Sequence, residues 1–276
     1  MSALSALPPL RESLEAHGLL ARKSLGQHFL LDLNITRKIA RLAGAGQGDL
    51  VIEVGPGPGG LTRSLLETGA EVLAIEKDER FLPLLQALAE ACPGRLRIEF
   101  ADALAVDETA LASGRPAQVV ANLPYNVGTP LLVKWLTGPF RPTAMTLMFQ
   151  KEVAQRIVAA RGASAYGRLA VISQACAAGQ IVMDAPARAF TPPPKVDSAV
   201  VRLTPRTDRP EPAVLDALQV VTAAAFGQRR KMLRSSLRSL GGEALCALAG
   251  IDPARRAETL SVDEFLSLAK GLIANP

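Results

Sequence analysis

Five short apolar segments recur along the first 150 residues, and segments with a helical pattern separate them. They are LVIEV (50–54), EVLAIE (71–76), LRIEF (96–100), AQVVA (117–121) and AMTLMFQ (144–150). Strands that alternate with helices at this spacing predict crossover units, in which helices cover both faces of a mainly parallel sheet. We therefore expect a doubly wound α/β fold.

The pattern changes in the last third of the chain. Two β-rich stretches, QIVMDA (180–185) and VDSAVVRLTP (196–205), are joined by a proline-rich loop, which favours an antiparallel hairpin at the sheet edge. After the charged, proline-rich RTDRPEP (206–212) the pattern is helical to the end. The predicted parts are a mobile N-terminal segment (1–20), an α/β domain (21–205) and an all-helical domain (206–276).

Cysteine, apolar and charge patterns narrow the classes of function. Cys92, Cys176 and Cys246 stand far apart without C-x-x-C spacing, so we expect neither a metal site nor a disulfide framework. No apolar run approaches the roughly 20 residues of a membrane span, and the N-terminus lacks the pattern of a signal peptide. We expect a soluble, cytoplasmic protein with no membrane partner. The net charge of +5 permits an anionic partner.

A glycine-rich loop, EVGPGPGGLT (53–62), directly follows the first predicted strand, and Gly55, Gly57 and Gly60 satisfy the spacing G-x-G-x-x-G. Glycine at a strand-to-helix turn lets a ligand approach the backbone closely. Glu76 ends the next strand, where a carboxylate can accept hydrogen bonds from both hydroxyls of a ribose. The pattern predicts a cofactor that contains a nucleoside, either NAD or S-adenosylmethionine; the alternative is a tight turn without a ligand.

Two residues of this loop favour S-adenosylmethionine. Pro56 has no N–H, so one donor that a pyrophosphate would use is missing. Glu53 adds a negative charge that would repel a pyrophosphate but suits an ammonium and a sulfonium. Asp102, after the third strand, would then accept a hydrogen bond from the adenine amino group; its alternative role is a helix N-cap.

The motif NLPYN (122–126) follows the fourth strand and would lie beside the reactive methyl group. The Asn122 side-chain oxygen and the Leu123 carbonyl can hold both hydrogens of an adenine N6, so that its lone pair faces the methyl carbon. Pro124 fixes the backbone. Tyr125 offers a ring for stacking, which is worth about 1–3 kcal/mol per base. The structural alternative is a strand that ends in a turn.

Nine motifs together carry a resemblance to a known family. They are KSLGQHFL (23–30), EVGPGPGGLT (53–62), AIEKD (74–78), DAL (102–104), NLPYN (122–126), FQKEVAQR (149–156), AYGRLAV (165–171), FTPPPKVDSAVVRL (190–203) and FGQRRKMLRSSL (226–237). The chain resembles the KsgA-type small-subunit rRNA adenine dimethyltransferases from about residue 20 to 272. The resemblance implies a Rossmann-like, class I methyltransferase domain that uses S-adenosylmethionine to dimethylate N6 of two adjacent adenosines near the 3′ end of 16S rRNA.

The resemblance also assigns roles to individual positions. It implies that His28 and Leu30 close over the methionine end of the cofactor and that Gly55, with Gly57 beside it in the loop, borders the cofactor. It implies further that Glu76 holds the ribose, Asp102 the cofactor adenine, and Asn122 both cofactor and target. Phe190 would stack on the target base opposite Tyr125, whereas the residues alone favour a packing role at an edge strand for Phe190.

A basic segment, GQRRKMLRSSLRSL (227–240), contains five cations and no acid: Arg229, Arg230, Lys231, Arg234 and Arg238. The spacing predicts one helix, with cations stacked on one face and apolar residues on the other: Arg230, Arg234 and Arg238 against Met232, Leu233, Leu237 and Leu240. Such a face is often merely solvated. Beside a base-modifying site it favours binding of RNA phosphates.

Three alternatives remain open at this point. A large-subunit rRNA methyltransferase of the macrolide-resistance type shares the glycine loop and an Asn-x-Pro-aromatic motif, although FTPPPKVDSAV and FGQRRKMLRSSL favour the small subunit. A mainly non-catalytic assembly factor and a dehydrogenase are the others. We expect a monomer that acts on 16S rRNA within the small subunit or its precursor.

Overall fold

The computed structural model describes residues 3–19, 21, 27–228 and 230–274. The strands are β1 Phe29–Leu30, β2 Leu50–Val54, β3 Glu71–Glu76, β4 Leu96–Phe100, β5 Ala117–Asn122, β6 Met145–Gln150, β7 Ala177–Ala185, β8 Phe190–Thr191 and β9 Ser198–Pro205. The α-helices are α1 Leu10–Ala16, α2 Leu33–Ala43, α3 Gly60–Glu67, α4 Leu82–Ala91, α5 Glu108–Leu111, α6 Gly128–Thr137, α7 Lys151–Ile157, α8 Arg168–Cys176, α9 Pro212–Gly227, α10 Leu233–Ser236, α11 Glu243–Leu248 and α12 Val262–Ala274. Short 3₁₀ helices span Ala3–Ala6, Glu79–Phe81, Ala187–Ala189, Arg238–Leu240 and Ala257–Thr259.

The central sheet has seven strands in the order β4-β3-β2-β5-β6-β9-β7. Strands β2 to β6 pair in parallel, and β9 pairs antiparallel with β6. The chain builds outward from β2 through β3 to β4, and then returns to add β5 on the other side of β2. This reversal creates a switch point between β2 and β5, where open α/β sheets bind their ligands. The predicted doubly wound fold is confirmed.

The five predicted parallel strands are confirmed as well, and their bounds agree to within one residue. All five residues of β2 are buried, as are the first five of β5 and of β6. Strands that are covered on both faces read as continuous apolar runs and not as alternating ones. This burial explains why the runs were visible in the sequence.

The proline-rich loop contains an element that the sequence did not predict. Strands β7 and β9 are neighbours at the sheet edge, as predicted, but the loop between them carries β8. β8 pairs antiparallel with β1, so that Phe29 faces Thr191 and Leu30 faces Phe190. This pairing ties the start of the α/β unit to a segment about 160 residues later.

The chain divides into two compact units whose bounds differ from the predicted domains. Of the described residues, those within 1–135, 139–154 and 181–203 form the first unit, and those within 136–138, 155–180 and 204–276 form the second. The last segment of the second unit therefore begins near the predicted boundary, but the unit also includes two earlier segments, one of which contains α8. Helix α8 packs with α9 and α12, and the Tyr166 hydroxyl just before it donates to the Leu260 carbonyl at 3.0 Å.

The N-terminal residues 3–19, which we expected to be mobile, are packed on the first unit in the structure. Leu4 is buried. The buried guanidinium of Arg63 donates to the carbonyls of Leu4, Leu7 and Pro8 at 2.5, 3.3 and 3.2 Å. A buried cation needs acceptors, and this segment supplies them.

Within these described ranges, no helix has both the length and the apolar character of a membrane span. The same ranges contain no group of three His, Cys, Asp or Glu side chains that could hold a metal ion.

Gly60→Ala should destabilise the first unit by about 1–3 kcal/mol, the usual cost of overpacking. A Cβ at Gly60 would lie 2.7 Å from the Leu30 carbonyl oxygen and 3.0 Å from Leu10 Cδ1. The Leu30 backbone cannot withdraw freely because β1 is paired with β8. Urea unfolding measures the effect. The control is Gly46→Ala, whose Cβ would meet only Asp49 Oδ2 at 4.0 Å; an equal loss in both variants would contradict the packing explanation.

Candidate active site at the carboxyl edge of the sheet

A cavity lies at the switch point, where β2, β3, β4 and β5 end. Ten of the predicted site residues line it: His28, Leu30, Gly55, Gly57, Glu76, Asp102, Asn122, Leu123, Pro124 and Tyr125. They come from five separate stretches of the chain. The parallel sheet brings them together because the carboxyl ends of parallel strands meet at one edge.

The glycine loop forms one wall of the cavity. Gly55 and Gly57 have φ values of 71° and 53°, a left-handed conformation that side chains other than glycine rarely adopt. The Gly57 N–H points to the next strand and donates to Glu76 Oε2 at 2.9 Å. The loop and the carboxylate are therefore fixed relative to each other.

Glu76 is an oriented, buried carboxylate. Besides the bond from Gly57, its Oε1 accepts from the backbone N–H groups of Lys77 and Asp78 at 2.9 and 2.8 Å. Burial raises the pKa of Glu76, and these three hydrogen bonds oppose part of the rise. Backbone donors that hold a carboxylate leave its remaining lone pairs for ligand hydroxyls.

Glu53 is a second carboxyl group in the cavity wall, with an exposed fraction of 1%. No described residue forms a hydrogen bond with its Oε2. Burial raises the pKa of Glu53 to about 8; Thr62 opposes the rise, and the neighbouring Glu76 adds to it. A buried carboxyl without a full set of partners favours a ligand that brings a positive charge.

Asp102 carries an ion pair that the sequence did not predict. Its Oδ2 lies 2.7 Å from Lys77 Nζ, and its Oδ1 accepts from the Leu104 N–H at 3.0 Å. The hydrogen bond and charge of Lys77 lower the pKa of Asp102. The N-cap alternative is wrong, because the residues after Asp102 form a turn and not a helix.

Two consecutive residues of NLPYN, Asn122 and Leu123, each offer one hydrogen-bond acceptor. Asn122 donates from Nδ2 to the His28 carbonyl at 3.2 Å. A carbonyl only accepts, so the nitrogen must face it, and Oδ1 points the other way. Helix α6 begins on the Pro124 carbonyl, which accepts from the N–H groups of Val127 and Gly128. The preceding carbonyl, of Leu123, has no donor among the described backbone hydrogen bonds.

An aromatic pair completes the cavity. The rings of His28 and Tyr125 lie 5.4 Å apart at 31°. The Tyr125 hydroxyl forms a 2.7 Å hydrogen bond with Ser198 Oγ, and burial raises its pKa. His28 Nδ1 donates to the Pro192 carbonyl at 2.8 Å, so this nitrogen carries a proton.

The similarity of this sequence to known proteins identifies the family to which the chain belongs. A family model described as Ribosomal RNA adenine dimethylase matches residues 18–274. The chain belongs to this family. The predicted enzyme class and its cofactor, S-adenosylmethionine, are thereby confirmed, and membership decides against the dehydrogenase alternative.

The matches to individual relatives cover most of the length of this dimethylase. A protein of Phenylobacterium zucineum named Ribosomal RNA small subunit methyltransferase A is 71% identical over 272 residues, which cover 99% of this chain and 95% of that one. A dimethyladenosine transferase from Plasmodium falciparum has a similar structure, with a TM-score of 0.71 and 26% identity over 87% of this chain and 96% of that one. The structure of the 23S rRNA methyltransferase ErmE is also similar, with a TM-score of 0.64 and 27% sequence identity. The match covers 89% of this chain and 99% of that one.

Phe190 of the dimethylase does not line the cavity. Its side chain is 3% exposed and belongs to the same hydrophobic core as Phe29 and Met183. The structure thus shows Phe190 in the packing role that the residues alone favoured. Its stacking role stays a prediction that requires the ring to leave this position.

The prediction of one continuous basic helix in the dimethylase is wrong, although Leu233–Ser236 and Arg238–Leu240 are helical. Helix α9 ends at Gly227, and α10 begins only at Leu233. Between them Met232 is extended, with φ −69° and ψ 157°, and forms an antiparallel bridge with Arg256. The Leu233 N–H also donates to the Arg255 carbonyl at 2.8 Å. Pairing with a distant segment has overridden the helical pattern.

Arg230 consequently lies outside the helical residues, so the three arginines Arg230, Arg234 and Arg238 do not stack on one helix. Arg229 lies outside the described residues, whereas the other four belong to the second unit and are exposed: Arg230, Lys231, Arg234 and Arg238. Leu233 and Leu237 are buried as predicted, but Met232 is 38% exposed.

The sequence did not predict a role for Lys77 or Gln27, which both line the cavity. Lys77 faces Asp102, as described above. Gln27 lines the cavity and donates from Nε2 to Asp78 Oδ2 at 3.0 Å. Asp78 is also bound by Arg80, and the hydrogen bonds from Arg80 and Gln27 lower its pKa to about 2 although burial opposes this change. Gln27 lies inside the motif GQHFL, which was the signal available.

Proposed function

We propose that this dimethylase transfers methyl groups from S-adenosylmethionine to N6 of two adjacent adenosines near the 3′ end of 16S rRNA in the small ribosomal subunit. The observation that carries the proposal is a single cavity lined by the glycine loop, Glu76, Asp102 and the acceptor pair of NLPYN. The relative named for the small subunit is 71% identical, whereas the 23S rRNA enzyme is 27% identical. This difference supports the small subunit over the large one.

The cavity fits the cofactor at several points. Bound S-adenosylmethionine supplies an electrophilic methyl group on a positively charged sulfur. The buried Oε2 of Glu53, which has no partner among the described residues, suits the cationic methionine end. Gly55 and Gly57 let the ligand approach the backbone. Glu76 would accept from the ribose hydroxyls, and Asp102 from the adenine amino group.

Other residues that line the cavity would contact the methionine end and the target. His28 and Leu30 would close over the methionine part, and Tyr125 would carry the target adenine on its ring. Asn122 Oδ1 and the Leu123 carbonyl would each accept one N6 hydrogen. The geometry favours a pyramidal nitrogen whose lone pair faces the methyl carbon, so catalysis comes mainly from orientation and electrostatics.

The transfer needs no strong acid or base. The N6 lone pair, aimed by Asn122 and Leu123, would form the new N–C bond with the methyl group that S-adenosylmethionine supplies, and the electrons of the C–S bond would stay on sulfur in a neutral thioether. The resulting N6 ammonium loses its proton to water. After the first transfer a methyl group replaces one N–H, so one of the two acceptors loses its hydrogen bond. In the second transfer N6 is therefore held by one hydrogen bond instead of two.

The second unit is proposed to bind the RNA. No described acid forms an ion pair with Arg230, Lys231, Arg234 or Arg238, and all four are exposed. Cations of this kind bind phosphates, with a binding constant that falls with salt. We further propose that the protein acts as a monomer in the cytoplasm, on the small subunit or its precursor.

The test of the proposed function is methyl transfer from labelled S-adenosylmethionine to unmodified small subunits, with large-subunit rRNA in parallel. Mass spectrometry should find dimethyladenosine at two adjacent positions of 16S rRNA. Label on large-subunit RNA alone would keep the chemistry and overturn the substrate. No transfer to either RNA, together with subunit maturation supported by the protein, would favour the assembly-factor alternative.

Binding of S-adenosylmethionine should release a proton from Glu53. Below pH 8 this carboxyl is largely protonated in the free protein, because its pKa is about 8. A bound cation favours the carboxylate and lowers that pKa, so affinity should rise with pH up to about 8.

Calorimetry at pH 7 in buffers of different ionisation enthalpy counts the protons released. Glu53→Gln is the control, because the ligand's own ammonium group titrates equally in both proteins. The wild type should release more protons than the variant, and equal release would remove Glu53 from the site.

A further inference from the structure

The segment that joins β8 to β9 reaches the active-site cavity at two points. At one end the Pro192 carbonyl accepts from His28 Nδ1 at 2.8 Å, and at the other Ser198 Oγ forms a 2.7 Å hydrogen bond with the Tyr125 hydroxyl. The side chains of His28 and Tyr125, which both line the cavity, are therefore held by this segment. Ser198 itself does not line the cavity.

Ser198 is rigidly placed. It is the first residue of β9, opposite Gln150 of β6, and its side chain is completely buried. The preceding residue is fixed as well, because the Asp197 carbonyl accepts from the Lys151 N–H at 2.9 Å and its carboxylate accepts from the Ala187 N–H at 2.8 Å. A buried hydroxyl at such a position can hold its partner in one orientation.

Tyr125, in contrast, lies in the turn between β5 and α6, where no strand ladder fixes the backbone. The orientation of its ring depends on what the side chain contacts. Its contacts across the cavity wall are the hydrogen bond to Ser198 and the tilted ring of His28. Burial raises the pKa of the Tyr125 hydroxyl, which keeps the group protonated and able to donate.

We propose that Ser198 is a positioning residue for methyl transfer. By binding the hydroxyl of Tyr125, it fixes the plane of the ring on which the target adenine stacks, and so aims N6 at the methyl group. A base that stacks on a ring free to rotate would reach the reactive geometry less often. This inference rests on the proposed function, because it takes Tyr125 as the stacking surface for the base.

The test is a double-mutant cycle in steady-state methyl transfer to unmodified small subunits. Ser198→Ala and Tyr125→Phe remove the same hydrogen bond from its two sides. Each should lower kcat about five- to tenfold, the worth of one hydrogen bond. The double variant should be no slower than either single one, because the interaction is lost only once. The Kd for S-adenosylmethionine should stay unchanged in all three.

Two further variants separate positioning from a merely structural effect. Ser64→Ala removes another buried hydroxyl pair of the same length, to Thr36 at 2.7 Å, and neither residue lines the cavity. It should lower stability and leave kcat unchanged. Ser198→Thr keeps the hydroxyl and should retain more activity than Ser198→Ala.

Several results would overturn the proposal. One is a wild-type kcat in both Ser198→Ala and Tyr125→Phe. Another is a pair of losses that multiply in the double variant, which would mean that the residues act independently. If Ser198→Ala does not fold, Tyr125→Phe alone carries the test. Inactive wild-type protein would instead indicate failure of the proposed function, since every variant is compared with it.

Discussion

Asn122→Ala should lower the rate of methyl transfer about 10²–10³-fold, the cost of removing one preorganised hydrogen-bonding group from a transition state. The variant loses Oδ1, one of the two acceptors that would hold the N6 hydrogens. It also loses the donor to the His28 carbonyl, which ties β5 to the segment before β1. Single-turnover kinetics at saturating S-adenosylmethionine isolate the chemical step from cofactor binding.

Asn126→Ala is the matched control, because Asn126 is a carboxamide of the same motif that also borders the cavity but is exposed. It should transfer methyl groups at close to the wild-type rate. Asn122→Asp keeps an acceptor but loses the Nδ2 donor, and should lie between Asn122→Ala and the wild type. A wild-type rate in Asn122→Ala would move the recognition of N6 to other residues.

The sheet and the cavity could be predicted from the sequence because their signals are local. A strand buried on both faces is a continuous apolar run, and β2 and β5 are of this kind. The glycines are needed by a turn with positive φ, which Gly55 and Gly57 adopt. Once the strands are parallel, their carboxyl ends must share an edge, so Asn122 falls beside the loop without any knowledge of distant contacts.

In the basic segment, by contrast, the local pattern did not predict the structure. Its spacing fits a helix, but Met232 pairs with Arg256 and Leu233 donates to the Arg255 carbonyl. Helical propensity contributes only a few tenths of a kcal/mol per residue, so tertiary hydrogen bonds override it easily. No local feature of the segment predicts that Met232 pairs with Arg256, about 24 residues away.

At the cavity, too, the contacts of individual side chains could not be predicted from the sequence. Glu76 and Asp102 could be predicted by their positions at strand ends, but the ion pair of Lys77 with Asp102 depends on the pairing of β3 with β4. Phe190 is buried because β8 pairs with β1, and two-residue strands leave no periodic pattern. The sequence thus predicts which residues meet at the sheet edge better than it predicts how their side chains are held.

The largest expected effect on stability concerns a buried polar cluster beneath the cavity wall. Glu108 Oε1 accepts from Lys134 Nζ at 2.9 Å and from Trp135 Nε1 at 2.7 Å, and the carboxylate is buried. Lys134 Nζ also donates to the carbonyls of Ala103 and Val106 at 2.8 and 2.6 Å. Ala103 lines the cavity, so the cluster supports the wall beside Asp102.

Glu108→Gln should destabilise the first unit by about 2–4 kcal/mol. Breaking a fully buried pair costs about 3–5 kcal/mol, and the side chain of Lys134, which is 25% exposed, recovers part of this from water. Trp135 is the only tryptophan in the sequence and is buried, so its fluorescence reports unfolding of this unit in urea.

The matched control for Glu108→Gln is Glu71→Gln, which breaks the 2.6 Å ion pair with Arg115 at the surface of the same unit. Water screens an exposed pair and leaves it little effect on stability, so this variant should unfold at almost the wild-type urea concentration. Equal losses in the two variants would mean that burial does not set the cost. A loss confined to Glu108→Gln, accompanied by weaker binding of S-adenosylmethionine, would show that the cluster holds the adenine side of the cavity as well as the fold.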